Sequence, residues 1–528
     1  MGKKRGGVKF IFLGCLVLYF LLQPTVVKAE SLFSSELEMI YNDLSGPGSA
    51  NAIYEEGAQY NGNFTLTDRQ EMDEYDFSFN LKMRTEEDMY SQDQALFLSR
   101  LKASFRNRES GSQFNIGDTF EFFDQYVLNS SLKGLSYRHK NSNDQTTTFV
   151  YGYDYPRWNN IYDGDYPAVT RRSLGINYEN NVNDLNWGVS LLNVDDEEKV
   201  DSADILYTSN VIGVNWEHMP LAGLTIKGNS AYSDTDDTQD INYSGTAHQI
   251  NIFSNAKEGR AEINYERVSP DFKTLLGSAN NDLEKVKASL LYRHSNRIDY
   301  NFAHTFFHDN LDNQKEATTY NYKPEIGVSF KRIFNRRYAR TNLKYNFNLE
   351  KSDAKRVEDN IIALNYRDRL QAVNLNFNVN YGEEEAEIGS DINKENNINY
   401  NLSLGTRKRM QGYILRPTLK FGYFNSEDEN ENTNDSNFEK SLGLRLDIPQ
   451  KRFYSNLEFG ERDSQRDSGE DNNKLFANLS FYYTPQLFDK YNQGRIYLRY
   501  RYNDLSYSDS EENDLRENSI TAGVNLSF

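Results

Sequence analysis

Histidine, arginine and carboxylate are the side chains of this chain whose types and spacing could do chemistry. The histidines are His139, His218, His248, His294, His304 and His308. His304 and His308 share one face of an extended segment, but strand rise separates them by about 13 Å, too far to hold one metal ion. No serine or carboxylate is spaced beside a histidine as a nucleophile and its base require, so no catalytic residue, metal site or cofactor is assigned. The basic residues are more promising. Lys82, Arg84, Arg100, Lys102, Arg106, Arg138, Arg293, Arg445, Arg499 and Arg501 recur on the polar side of alternating segments. Gathered around one opening they would favour anions such as phosphate-bearing or acidic glycan cargo. The plainer reading pairs them with carboxylates such as Asp76 and Asp447.

Three other stretches stand out. The acidic runs Glu427 to Asp435 and Asp234 to Asp237 carry the oxygen ligands that Ca²⁺ or Mg²⁺ prefers, but no EF-hand spacing. The plainer reading is a solvated surface among lipopolysaccharide phosphates, bridged by divalent ions at most. Tyr151, Tyr153, Tyr155, Trp158, Tyr162 and Tyr166 form an aromatic cluster that suits sugar stacking or an interfacial girdle. Ile116 to Gly134 and Val268 to Asp282 read as loops of unusual composition that could fold into a mouth; no role is assigned to them.

These residues must be positioned by strands. Tyr75, Phe77, Phe79, Leu81 and Met83 alternate with Asp76, Ser78, Asn80, Lys82 and Arg84. Val373 to Tyr381 alternates with Asn374, Asn376, Asn378 and Asn380, and Thr341 to Leu349, Leu442 to Ile448 and Ile496 to Tyr502 repeat the form. A helix would need apolar residues three and four apart. Each such strand has one apolar face, which needs lipid or a second sheet.

The gaps between strands choose between those covers. Counted back from Phe528, alternate gaps are longer and acidic, at Asp195, Ser233, Gly382, Asn425, Arg462 and after Tyr507. The others are shorter and often basic, at His294, Phe334, Arg367, Arg407 and Pro449. In the final stretch Ile520, Ala522, Val524, Leu526 and Phe528 lie on one face, and Ser519, Thr521, Gly523, Asn525 and Ser527 on the other.

An apolar-and-small closing strand with a terminal aromatic, preceded by this alternation of gaps, resembles bacterial outer-membrane β-barrels, whose periplasmic turns are short and extracellular loops longer. The resemblance implies an all-β chain forming a single large antiparallel transmembrane β-barrel, with Val524, Leu526 and Phe528 read by the barrel-assembly machinery. About 25 segments follow Ile53. Leu32 to Tyr41 is either the first strand, giving about 26, or a short periplasmic helix; in that case the weak segment Gln113 to Asp118 drops out and about 24 remain.

Composition agrees. Aromatic residues make up 14% of the 528 residues, against a mean hydropathy of −0.78, as expected where half of each strand meets water. A net charge of −19 argues against nucleic acid, whose binders carry basic surfaces. Lys3, Lys4, Arg5 and Lys9, an apolar run from Phe10 to Leu22, and Val27-Lys28-Ala29 read as a secretory signal peptide over 1–29. The apolar run continues past Cys15, unlike a lipoprotein anchor. After cleavage no cysteine remains for a disulfide, thiolate metal site or haem attachment. The organisation is thus 1–29 signal, 30–52 amino-terminal segment and 53–528 barrel.

A barrel this wide has an open or plugged lumen, so the resemblance implies an outer-membrane channel or conduit with no chemical step. Alternatives are the sheath of a porin–cytochrome electron conduit, a polysaccharide exporter, an adhesion or structural barrel, and a lipid-modifying enzyme. Cytochrome-enclosing barrels often carry an amino-terminal cysteine pair, which the mature chain lacks. The partners implied are outer-membrane lipid and lipopolysaccharide, the assembly machinery, and a periplasmic cytochrome or export partner.

Overall fold

A computed structural model describes residues 28–52, 56–88, 91–141, 143–154, 158, 169–198, 205–467, 469–486, 488 and 493–527. The signal segment 1–27, Phe528 and the aromatic residues Tyr155, Tyr162 and Tyr166 lie outside them. The chain forms a closed antiparallel barrel of 26 strands, 76% strand, once Asp391–Thr406 and Lys408–Met410 are taken as one strand interrupted at Arg407. No helix among the described residues is long and apolar enough to cross a membrane, which says nothing about strands.

Leu32 to Tyr41 is a strand, part of Lys28–Ser45. It closes the barrel by pairing Ser34 through Ser45 with Ser527 back to Arg516. The weak segment is a strand too, Gln113–Phe122.

Successive strands alternate an outward apolar face with an inward polar one, because side chains alternate across a strand. Outward stand residues such as Leu37, Ile212, Ile263, Leu343, Leu442 and Ile496, each 41% exposed or more. Apolar area of that extent belongs in a bilayer. Inward stand Asn342, Asn365, Asn378 and Asn401, opposite one another across four strands. At about 4.8 Å spacing and about 40° tilt, 26 strands make a backbone circle on the order of 50 Å across.

Two rims result: an inner rim, where the closing strand Leu515–Ser527 ends, and an outer rim opposite. The basic gaps at His294, Phe334, Arg367, Arg407 and Pro449 all fall at the inner rim, and the acidic ones all fall at the outer. Much of the acid is not in loops, however. Gly382 to Ile388, Asp195 to Glu198 and Arg462 to Arg466 are still strand. Cross-strand ion pairs hold these extensions together, such as Lys394 with Glu385 at 2.8 Å and Lys440 with Glu461 at 2.6 Å. The turn after Ile388 is then only Gly389-Ser390, with Gly389 at φ 63.

Candidate functional site

The lumen is narrowed from one side by two segments that turn inward at the outer rim. The first, residues 123–128, joins strands Gln113–Phe122 and Asn129–Lys140. Asp124 closes it as an Asx turn: its Oδ1 accepts the N–H of Tyr126 at 2.6 Å and of Val127 at 3.2 Å. Phe123 N–H donates to the Leu128 carbonyl at 3.0 Å. With these three backbone N–H groups satisfied, the turn offers Tyr126, Val127 and Leu128 to the wall, all fully buried.

The second segment, residues 269–282, joins strands Gly259–Val268 and Leu283–Arg293. Phe272 and Leu276 are its buried anchors. Its backbone is tied to the wall through Lys273 N–H to Ser233 Oγ at 2.9 Å and Arg171 to the Leu275 carbonyl at 3.3 Å. Arg171 is itself held by Asp196 at 2.8 Å. The segments also bind each other: Ser278 N–H donates to the Gln125 carbonyl at 2.7 Å and Asn129 N–H to the Leu276 carbonyl at 2.9 Å. Tyr126 meets Phe272 edge-on at 5.9 Å and donates its hydroxyl to Glu266 at 3.0 Å.

The wall is shaped to receive them. Inward positions that are polar elsewhere are here Val150, Leu192, Val194, Val211, Ala231 and Ala247, one continuous apolar cluster with the segments. Gly213 and Gly245 leave room for the backbone: a Cβ on Gly213 would sit 2.4 Å from Asp124 Oδ2, and one on Gly245 2.3 Å from Phe272 N. The sequence does carry a signal of this patch. Period-two alternation fails at Val211-Ile212-Gly213-Val214 and Leu191-Leu192, where both strand faces are apolar.

Burial pushes the Asp124 carboxyl up to about 6, against the pull of its two backbone donors. Its Oδ2 has no hydrogen-bond partner among the described residues. A carboxyl raised from 3.8 to about 6 binds its proton more tightly docked than undocked. Docking should therefore be strongest below about pH 4, weaken as pH rises to about 6, and level off about 3 kcal/mol lower. Single-channel recording across that range is expected to show longer open times towards neutrality. Asp124→Asn should flatten the profile; an unchanged profile would reject this origin.

The inward hairpin has a counterpart defect in the wall. Strand Ser91–Asn107 pairs with Gln113–Phe122 only from Lys102 opposite Gly117 to Arg106 opposite Gln113. Beyond Gly117, at φ 99, the two strands share no ladder among the described residues. Instead the outward-facing Asp118 accepts the Leu101 N–H at 2.6 Å, Lys133 Nζ at 3.1 Å and Trp158 Nε1 at 2.6 Å. Lys133 is 6% and Trp158 9% exposed. Trp158 of the aromatic cluster thus caps a seam, while Tyr151 and Tyr153 face outward with their hydroxyls 3.4 Å apart.

The basic residues do not form one ring. Lys82 and Arg100 oppose each other, with Lys102 and Arg106 further along the same inward face; with Arg84 they make one arc. Arg445, Arg499 and Arg501 make another, separated from the first by three strands. Asp447 pairs with Arg445 at 2.9 Å and Arg416 at 3.0 Å, and Asp76 with Arg108 at 2.5 Å. Val524 stands opposite the outward Leu37, and Leu526 opposite Ser35. No group of histidine and carboxylate ligands that could hold a metal occurs among the described residues.

This geometry is that of an outer-membrane-type barrel. YddB, an outer-membrane transporter of Escherichia coli, is 10% identical over 94% of this chain and 80% of its own, with a TM-score of 0.47. OccK2 (OpdF) of Pseudomonas aeruginosa is 10% identical over 95% and 98%, TM-score 0.30. A BenF-like porin of Pseudomonas fluorescens Pf-5 is 11% identical over 95% and 99%, TM-score 0.30. At TM-scores below 0.5 and identities of 10–11% these likenesses carry no conclusion about this chain. No family model matches the sequence, and no curated protein matches it either.

Proposed function

We propose that this protein is an outer-membrane conduit, carrying hydrophilic solute or a partner-borne cargo through its lumen without a chemical step. The observation that carries the reading is the distribution of the inner wall. One arc is apolar and covered by the inward segments, while the arcs lined by asparagine and arginine face the lumen uncovered by either segment. Asn365 donates to Asn376 and Asn378, and Asn401 to Asn399. Such amides offer donors and acceptors together and suit a hydrated passage.

Lipid and lipopolysaccharide would surround the apolar band. The assembly machinery would act on Val524, Leu526 and Phe528, and the signal segment would direct export. Purified barrel in a planar bilayer is expected to give a steady conductance. A silent bilayer, with folded protein demonstrated in it, would overturn the open-channel reading. The breadth of the barrel supports a second reading, a sheath around a periplasmic cytochrome or export partner. Haem or a second protein co-purifying with a silent barrel would favour it.

A further inference from the structure

Near the inner rim three inward tyrosines stand side by side on adjacent strands: Tyr454 opposite Tyr482, and Tyr482 opposite Tyr497. Tyr454 and Tyr482 stack at 4.3 Å and 9°, and Tyr482 and Tyr497 approach to 6.1 Å. Tyr497 lies flat on the wall because the next position is Gly523, where a Cβ would meet the ring at 2.3 Å. Guanidiniums flank the row. Arg445 is 5.3 Å from the Tyr454 ring, Arg495 5.7 and 5.6 Å from Tyr454 and Tyr482, and Arg499 4.6 Å from Tyr497.

The cations are not equally satisfied. Arg445 shares Asp447 with Arg416, and Arg499 reaches Glu38 at 3.6 Å. Arg495 is exposed, donates to the Tyr454 hydroxyl at 3.2 Å, and has no carboxylate partner among the described residues. An accessible guanidinium fork beside flat rings matches a ligand bearing a carboxylate on a saccharide ring: the fork takes the carboxylate in two parallel hydrogen bonds, and tyrosine takes the sugar face. Phosphate alone would use the fork and leave the rings idle.

We propose that Arg495, Arg499, Tyr454 and Tyr482 form a binding site for acidic oligosaccharide at the inner mouth of the lumen. The site rests on the conduit reading above and names a substrate class for it. Titration calorimetry of the whole protein in detergent, with a hexamer of galacturonate, tests it. Saturable binding is expected, with maltohexaose and inorganic phosphate each at least about tenfold weaker. Arg495→Gln should weaken galacturonate about tenfold or more, as loss of a hydrogen bond to a charged group does. Tyr482→Leu should weaken it further relative to phosphate. Lys287→Gln, an inward cation across the lumen, should change nothing.

Absence of binding, equal binding of maltohexaose or phosphate, or an equal loss in Lys287→Gln would each overturn the site. Conductance, measured in parallel, keeps the two readings apart. A conducting barrel that ignores galacturonate sinks only the site, whereas a silent barrel sinks the open channel and leaves calorimetry to decide the site.

Discussion

Gly213→Leu is expected to drive the inward segments off the wall while leaving the barrel intact. A Cβ there would lie 2.4 Å from Asp124 Oδ2 and 2.5 Å from Val127 Cγ2, closer than any real Cβ contact, and leucine adds three carbons beyond it. The carboxylate belongs to a turn fixed by its own hydrogen bonds, so the turn must leave as a unit. Undocking exposes Tyr126, Val127 and Leu128, each fully buried and each worth about 1.5–3 kcal/mol. The strand itself keeps its ladder with both neighbours. Conductance should rise, and protease should cut within 123–128 and 269–282 of the variant faster than in the parent. Gly405→Leu is the control, since its Cβ would have no neighbour closer than 3.5 Å. Equal conductance and cleavage in the Gly213 variant and the parent would show that the segments do not dock as described.

The second large effect is expected from Asp118→Ala. The substitution leaves Lys133 buried without its ion-pair partner and close to the Trp158 ring at 5.9 Å, and it orphans the Leu101 N–H. Breaking a buried pair from one side costs about 3–5 kcal/mol. The loss falls where the strands share no ladder, so it should appear as local opening. Amide exchange at Leu101 should accelerate by roughly a hundredfold or more, with little change near the closing strand. Asp118→Asn keeps an acceptor for Leu101 and should fall between. Uniform acceleration around the barrel would instead indicate global destabilisation and reject a local latch.

Strand phase was legible because lipid and water impose opposite demands on alternate residues. That is why gaps as distant as His294 and Pro449 sort to one rim. Gln113–Phe122 reads weakly for a reason the seam supplies. Its outward face should be apolar, and Phe114, Ile116, Phe120 and Phe122 are, but Asp118 interrupts them as the latch. Leu32 to Tyr41 stayed open between helix and strand because Glu36 and Glu38 suit either. In the barrel both face inward and accept the Tyr497 hydroxyl, at 3.2 and 3.1 Å. Docking of 123–128 on 269–282 joins residues far apart in sequence, so no local pattern announces it. Only the doubly apolar wall strands hint that something must cover them. The arginines of the second arc were legible as inward, but their tyrosine neighbours are set by register between strands, which periodicity alone does not fix.

The hairpin from Gln113 to Lys140 has one tip and two places that need it. Inside, the tip buries Tyr126, Val127 and Leu128; in the wall, Ser91–Asn107 has no ladder with Gln113–Phe122 beyond Gly117 among the described residues. A hairpin standing upright in that gap would extend the ladder beyond Gly117 and withdraw Tyr126, Val127 and Leu128 from the lumen, so the site that buries them also fixes how much of the wall is zipped.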